Sequence, residues 1–408
     1  MTPAVSEDIP SLIRTRLKPR FAAWRSCNSL AELKRRADYQ EVAADVERVL
    51  ETVETGGFGP RHPPAKPAYR VLAWNIERGK ELAGQLELLR THPWMREADV
   101  LLLTETDVGM ARSGNLDIAQ TMARELGYHY AFVPCYLSLV KGSGVERDIE
   151  GENDLGLHGN AILSRYPIRE PRAIHLANGI DKMASREKRL GRQTTLAARI
   201  AFPNLDLPVA CVHLDAQSTQ RHRADQMRSV VDAFPPGSPL LIGGDWNTTT
   251  FDSSTAFRAI CGYFLRVAMG PGRVIRNHFL HPDRWFERRL FGLLRERGFE
   301  YNRSNVPRGH TIFYHVDDLG AFGSLAEWVP LWCFDFIRWA LREHGGGCPL
   351  KIDWFASRGL DVRNPAVFNG VHEGFPRKLS DHDPIGVEVA AAAAFRGASS
   401  APRPYSAG

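Results

Sequence analysis

At six places along this chain a short apolar run is bordered by side chains that can hold a cation or move a proton. YRVLAWNIER delivers Asn75 and Glu77, and VLLLTETD delivers Glu105 and Asp107. PVACVHLD closes on His213 and Asp215, and LLIGGDWN places Asp245 and Asn247 after two glycines that let the backbone turn sharply. KIDWF carries Asp353, and LSDHDPIGVEV presents Ser380, Asp381 and His382 just before the last apolar run. In packed α/β domains ligand sites form beyond strand ends. Such a chain must therefore fold so that six distant strand ends can converge on one cleft.

The rest of the sequence fits that requirement. Strands are expected over 69–76, 98–106, 159–168, 194–202, 208–214, 239–244, 351–357 and 384–389, each a short apolar run. Helices are expected over 81–91, 116–126 and 219–234, where apolar residues recur at helical spacing, as Met227, Val230, Val231 and Phe234 do. Apolar runs alternating with amphipathic helices specify an α/β fold. With 408 residues, 43% of them hydrophobic, the chain can bury a large core without staples. Its six cysteines form no C-x-x-C pair, so neither a zinc centre nor a disulfide framework is expected. No stretch approaches the roughly 18 apolar residues of a membrane span. The first residues lack the apolar run of a secretory signal, so a cytoplasmic location is expected.

Residues 1–55 read as an appended helical segment, 56–68 as a glycine- and proline-rich linker, and 69–391 as the main domain. An insertion occupies about 264–350, and 392–408 is expected to be a disordered tail.

Each motif alone has a plain structural explanation. A strand-end Asp usually forms a turn or caps a helix, and a His in an apolar strand is commonly a satisfied core residue. Together and in this order, WNIE, TET, GNAILSRYPI, VHL with Arg223 and Gln226 behind it, GDWN, IDWF and SDHDP resemble the endonuclease/exonuclease/phosphatase superfamily, the DNase I-like metal-dependent phosphoesterases. The resemblance spans residues 70–390. It implies a four-layer α/β/β/α sandwich of two packed mixed sheets with outer helices, and a cleft at one edge.

The resemblance also implies roles. Glu105 would be the principal metal ligand, helped by Asn75, Glu77 and Asp381, with Mg²⁺ as the ion and Mn²⁺ as a substitute. A hard cation with oxygen ligands suits an anionic phosphoester. Asp245 would orient and deprotonate the attacking water, and Asn247 would donate its amide to a phosphate oxygen. His382, oriented by Asp353, would stabilise developing charge, and His213 would stand near the phosphate and donate a proton to the leaving oxygen. Asn160 of GNAILSRYPI and Arg192 of the basic loop are the candidate substrate contacts. Two departures stand out: Glu77 where several relatives carry Asp, and Asp383 after the histidine, where an apolar or aromatic residue is usual.

Substrate choice is less constrained. The net charge of +5 is carried by an arginine-rich basic set, and arginine binds phosphate in bidentate fashion. The loop MASREKRLGRQ, 183–193, is a basic surface that could reach a polyanion. Within the insertion, arginines interleave with Trp285, Phe286 and Phe291, which suits either base stacking or a helix covering the sandwich. The segment EWVPLWCFDFIRWAL, 327–341, suits burial, a dimer contact or a membrane surface, with peripheral membrane contact not favoured. The expected activity is phosphodiester hydrolysis of nuclease type. Hydrolysis of a phospholipid or sphingolipid headgroup, phosphatase action on a sugar or inositol phosphate, and a catalytically silent binding protein remain alternatives.

Overall fold

The computed structural model describes residues 8–60, 63–248, 252, 254–315, 317 and 331–391. Its strands are β1 (Glu54–Gly57), β2 (Tyr69–Arg78), β3 (Val100–Val108), β4 (His129–Ser138), β5 (Leu157–Ser164), β6 (Ile168–His175), β7 (Arg189–Gly191), β8 (Thr194–Phe202), β9 (Leu205–His213), β10 (Leu240–Asp245), β11 (Ile312–His315), β12 (Gly347–Leu350), β13 (Asp353–Arg358), β14 (Leu360–Val367) and β15 (Ile385–Ala391). One sheet runs β1-β4-β5-β3-β2-β15-β14, with β7 added to β4; the other runs β13-β10-β9-β8-β6. Strands β11 and β12 form a separate pair.

Strands β3, β5, β9 and β10 are almost wholly buried, and burial on both faces explains their continuous hydrophobic runs. On β2, Val71 and Ala73 enter the core between the sheets, while Leu72 and Trp74 face the outer layer. Helices Leu82–Thr91 and Ile118–Leu126 cover the first sheet. The second sheet is covered by Gln220–Asp232 and by Arg288–Glu296, whose Leu290, Phe291 and Leu294 are buried. The result is the four-layer α/β/β/α sandwich of two mixed sheets that the sequence motifs imply. Among the described residues, no helix is long and apolar enough to cross a membrane. The tail expected at 392–408 and residues 327–330 lie outside the described residues.

Several strands escape a reading of apolar runs, for identifiable reasons. Strand β4 contains Pro134 and β14 contains Pro365, and each proline sits at a register irregularity, where a missing N–H is tolerated. The glycines expected to open a linker instead form β1, paired antiparallel with β4. A Cβ on Gly56 would lie 2.3 Å from the Tyr130 ring, so a larger residue there would have to displace that ring. Before β1, short helices from Ile9–Leu12 to Ala43–Glu51 place Leu17, Trp24, Val46 and Leu50 in the same core as the first sheet.

Asp117 caps helix Ile118–Leu126, accepting from the Gln120 N–H at 2.8 Å. Burial and the neighbouring Glu54 carboxylate push its pKa up to about 7. The folded chain therefore holds an extra proton between about pH 4 and 7, so the associated stability is present at acid pH and is lost as pH rises through 7. Asp117→Asn keeps a capping acceptor and removes the charge. Its stabilising effect in urea unfolding is expected to be larger at pH 8 than at pH 5 by roughly 1 kcal/mol after solvent screening. An equal effect at both pH values would contradict this assignment.

Candidate active site

Two parallel strand pairs set the position of the site. Strands β2 and β3 are parallel and joined through helix Leu82–Thr91. Strands β9 and β10 are parallel and joined through helix Gln220–Asp232. Their C-terminal ends deliver Asn75, Glu105, His213 and Asp245. In the second sheet Asp245 pairs in register with His213 on one side and Asp353 on the other, so three functional side chains stand in a row. Gly244, at φ 134°, permits this closeness, because a Cβ there would meet the Val212 carbonyl oxygen at 2.2 Å.

The first sheet aims its side chains by breaking regularity. Register shifts fall between Asn75 and Arg78 on β2 and between Leu103 and Thr106 on β3. There Glu77, Arg78 and Glu105 adopt φ of 46°, 71° and 54°; Asn247, just beyond β10, adopts 51°. Non-glycine residues in this region cost on the order of 1–3 kcal/mol each and concentrate where function demands a particular aim. The bulges supply that aim.

One amide joins the two sheets. Asn75 Nδ2 donates to Glu105 Oε1 and to Asp245 Oδ2, each at 3.2 Å. His213 Nε2 lies 3.4 Å from Asp245 Oδ2, and His382 Nε2 lies 3.8 Å from the same oxygen. His382 Nδ1 is 2.8 Å from Asp353 Oδ2. The His382 segment is fastened to β2: Trp74 Nε1 donates to the His382 carbonyl (3.0 Å) and Ser380 Oγ donates to the Asn75 carbonyl (2.6 Å). Asn247 donates its backbone N–H to Asp245 Oδ1 (2.9 Å) and its side-chain amide to the Leu214 carbonyl (2.9 Å).

The electrostatics divide this cluster into two sides. Burial opposes the ionised form of Glu105, but Arg78, His213 and His158 outweigh it and hold the carboxyl well below the usual range. Burial likewise opposes charge on His382, yet Asp353, Asp381 and Asp245 together lift its pKa well above that of an ordinary histidine. We take the shared proton of the Asp353–His382 pair to reside on His382, because three carboxylates face that ring.

The structure gathers some expected residues and disperses others. Glu77 turns its side chain outward to Lys80 (2.7 Å) and meets the cluster only through its backbone N–H, which donates to Asn75 Oδ1 at 3.0 Å. Asp381 sits at the rim, its side chain 45% exposed and 4.0 Å from His382 Nε2. Asn160 is fully buried and donates to the Thr194 carbonyl at 2.7 Å, so a substrate cannot reach it as placed. Arg192 pairs with Glu47 and Glu51 of the N-terminal helix instead of facing the cleft. Both expected substrate contacts are thereby corrected. Asp383 adds no charge to the site, because its carboxylate accepts from Asn369 and faces His372.

One residue beside the site carried no motif. Tyr314 lies on β11 inside the insertion, and burial, reinforced by the charges of Asp381, Asp245, Glu105 and Asp353, raises its hydroxyl pKa far above normal. Strand β11 is tied to the site through an Ile312–His382 bridge and through Thr311 Oγ1, which accepts from the Asp353 N–H at 3.1 Å. Elsewhere the insertion behaves as the sandwich-covering alternative requires at Phe291, whereas Trp285, Trp332 and Trp339 are more than half exposed.

The donor set fits a hard divalent cation. Oxygen ligands predominate: Glu105 and Asp245 meet at the Asn75 amide, Asp353 and Asp381 flank His382, and Arg78 Nε stands 3.7 Å from Glu105 Oε2. Asp245, Asp353 and His382 also lie close enough together to ligate an ion. A His382 whose Nδ1 is engaged by Asp353 and whose ring is protonated has no lone pair to give, so Glu105 and Asn75 are the better holders.

A family model described as the endonuclease/exonuclease/phosphatase family matches residues 72–382. The protein YbhP of Escherichia coli (strain K12) is 32% identical over 136 residues, which are 32% of this chain and 46% of YbhP. YbhP of Shigella flexneri matches to the same extent. The chain thus spans about half the length of the curated relatives it matches. Among solved structures, an endonuclease/exonuclease/phosphatase from Beutenbergia cavernae aligns over 80% of this chain and 72% of its own, at 17% identity and TM-score 0.48. The human Nocturnin catalytic domain with bound sulfate anion aligns over 84% and 97%, at 16% identity and TM-score 0.43.

Proposed function

This chain belongs to the endonuclease/exonuclease/phosphatase family, and from that premise we propose that it is a Mg²⁺-dependent phosphodiesterase of nuclease type. The observation that supports this reading most is the reach of Asn75, whose one amide touches carboxylates from both sheets beside a histidine held protonated by Asp353. Glu105 and Asn75, with Asp381 at the rim, would hold the divalent ion. When bound, the ion supplies charge neutralisation for the phosphoryl oxygens.

The protein groups do the rest. Asp245 accepts a proton from the attacking water, which forms the new P–O bond as the bond to the leaving oxygen breaks. His213 donates a proton to that leaving oxygen. Protonated His382 and the Asn247 amide stabilise the charge that develops on the non-bridging oxygens, where positioned donors act most strongly. Asp353 is a positioning residue that fixes the His382 ring and its charge. Asp353→Asn is expected to lower kcat by about 10²-fold or more, measured on bis-p-nitrophenyl phosphate; a change smaller than threefold would remove Asp353 from the mechanism.

Phosphodiesters are favoured over monoesters because a diester brings one negative charge, not two, to a site already crowded with carboxylates. The test of the overall reading is hydrolysis of bis-p-nitrophenyl phosphate with Mg²⁺ or Mn²⁺ by the wild type, Glu105→Ala and His382→Ala. Turnover by the wild type and its loss in both variants is expected. Equal behaviour of all three proteins would defeat the assignment.

A further inference from the structure

The basic loop at 183–193 has so far been given no role, and the structure sets it against the site. With Lys182 and β7 it lines a cavity of about 200 Å³ that Arg78, Glu105 and His213 of the site also line. Two buried ion pairs hold that wall rigid. Lys182 is bound to Asp215 at 3.0 and 3.1 Å. Glu187 accepts from Arg112 at 2.9 Å, and Arg112 is in turn clamped by both oxygens of Asp107.

Arg189 is the group this scaffold presents. Its guanidinium lies 4.5 Å over the Tyr136 ring and 3.6 Å from Glu187, and its Nε is buried without a hydrogen-bond partner. A buried donor left unmatched is costly, and a planar guanidinium stacked on an aromatic ring presents its fork in one orientation, which suits phosphate. Arg186 is exposed on the same wall. At about 200 Å³ the space is smaller than pockets that take whole drug-sized ligands, roughly 300–1,000 Å³, and suits one tetrahedral anion with water.

We propose that this cavity is a second anion subsite, which receives a further, terminal phosphate of the substrate whose ester bond is cleaved beside it. The inference rests on the phosphoester-hydrolase reading above. The ligand chemistry is a phosphate monoester carried near the scissile linkage, either on a small bisphosphorylated molecule or at a nucleic-acid strand end.

Two substrate pairs test it with the full-length protein and Mg²⁺. One is p-nitrophenyl thymidine 5′-phosphate with and without a 3′-phosphate; the other is a single-stranded oligonucleotide with and without a terminal phosphate. The wild type is expected to prefer the phosphorylated member by about tenfold or more in kcat/KM, the scale of one charge-assisted contact. Arg189→Leu, and independently the exposed Arg186→Ala, should reduce that preference to below about threefold. Preference in the first pair alone identifies a small bisphosphate, and preference in the second identifies a strand end. No preference in either pair, or a preference that survives both substitutions, overturns the subsite.

Calorimetric binding of inorganic pyrophosphate to the metal-free protein provides a readout independent of turnover. Affinity should fall about tenfold in Arg189→Leu, and equal affinity in wild type and variant overturns the subsite whatever the activity. Absence of bis-p-nitrophenyl phosphate hydrolysis together with the expected pyrophosphate result would instead count against the catalytic reading alone.

Discussion

Replacing Asp245 with Asn is expected to lower kcat on bis-p-nitrophenyl phosphate by about 10³-fold, within the range attributed to a lost general base, with KM changed by less than about threefold. The substitution is close to isosteric and retains an oxygen that can accept from Asn75 Nδ2, which now donates to Asp245 Oδ2 at 3.2 Å. It removes the negative charge that stands 3.4 Å from His213 and 3.8 Å from His382. An Asn cannot accept the proton that a water must lose as it attacks. The fall should therefore appear in kcat, the signature of an interaction made in the transition state. Steady-state rates on a variant whose unfolding transition matches the wild type decide the matter, and a loss below tenfold would take Asp245 out of the general-base role.

The second large effect is expected at Glu105. This carboxylate is kept ionised against burial by Arg78, His213 and His158, and its backbone takes φ of 54° so that the side chain points into the cluster. Glu105→Ala should raise the Mn²⁺ concentration for half-maximal activity by at least about tenfold and lower the saturated rate by about 10²-fold, the scale of a lost electrostatic stabiliser. Glu105→Gln keeps the shape and loses the charge, and it should resemble the alanine variant. Chelation of the wild type with EDTA should abolish turnover, and added Mg²⁺ should restore it. An unchanged metal titration in Glu105→Ala would show that any ion sits elsewhere.

Much of this cluster could be read from sequence because its residues border runs that are apolar on both faces. Asn75, Glu105, His213 and Asp245 lie at or near the C-terminal ends of buried strands and Asp353 opens one, and period-independent apolar runs mark such strands clearly. His382 was legible for the complementary reason, since SDHDP precedes the last strand. What remained hidden depends on pairing that a linear pattern does not carry. Arg189 and Arg192 lie three residues apart, yet pairing of β7 with β4 puts Arg189 opposite Ser138 and over Tyr136, while Arg192 reaches Glu47. Asn160 is a substrate contact only by family resemblance, and the strand buries it against the Thr194 carbonyl.

Tyr314 and the buried Arg112 network were illegible for another reason. Tyr314 sits in an insertion without a motif, and the Ile312–His382 bridge and the Thr311–Asp353 hydrogen bond fasten its strand to the site. Arg112 looks like a solvated charge in sequence, yet its side chain is wholly buried between Asp107, Glu146 and Glu187. Such a network costs desolvation of every member and persists only when each partner is present. It stands behind Arg78, whose guanidinium meets both Glu146 and Glu105.

The central division of the site, cation on the Glu105 side and proton on the His382 side, is most directly tested by anomalous scattering from Mn²⁺-soaked crystals. A peak at a coordination distance of about 2 Å from Glu105, with Asn75 beside it and none between Asp353 and His382, is the expected result. A peak held jointly by Asp245, Asp353 and His382 would contradict it.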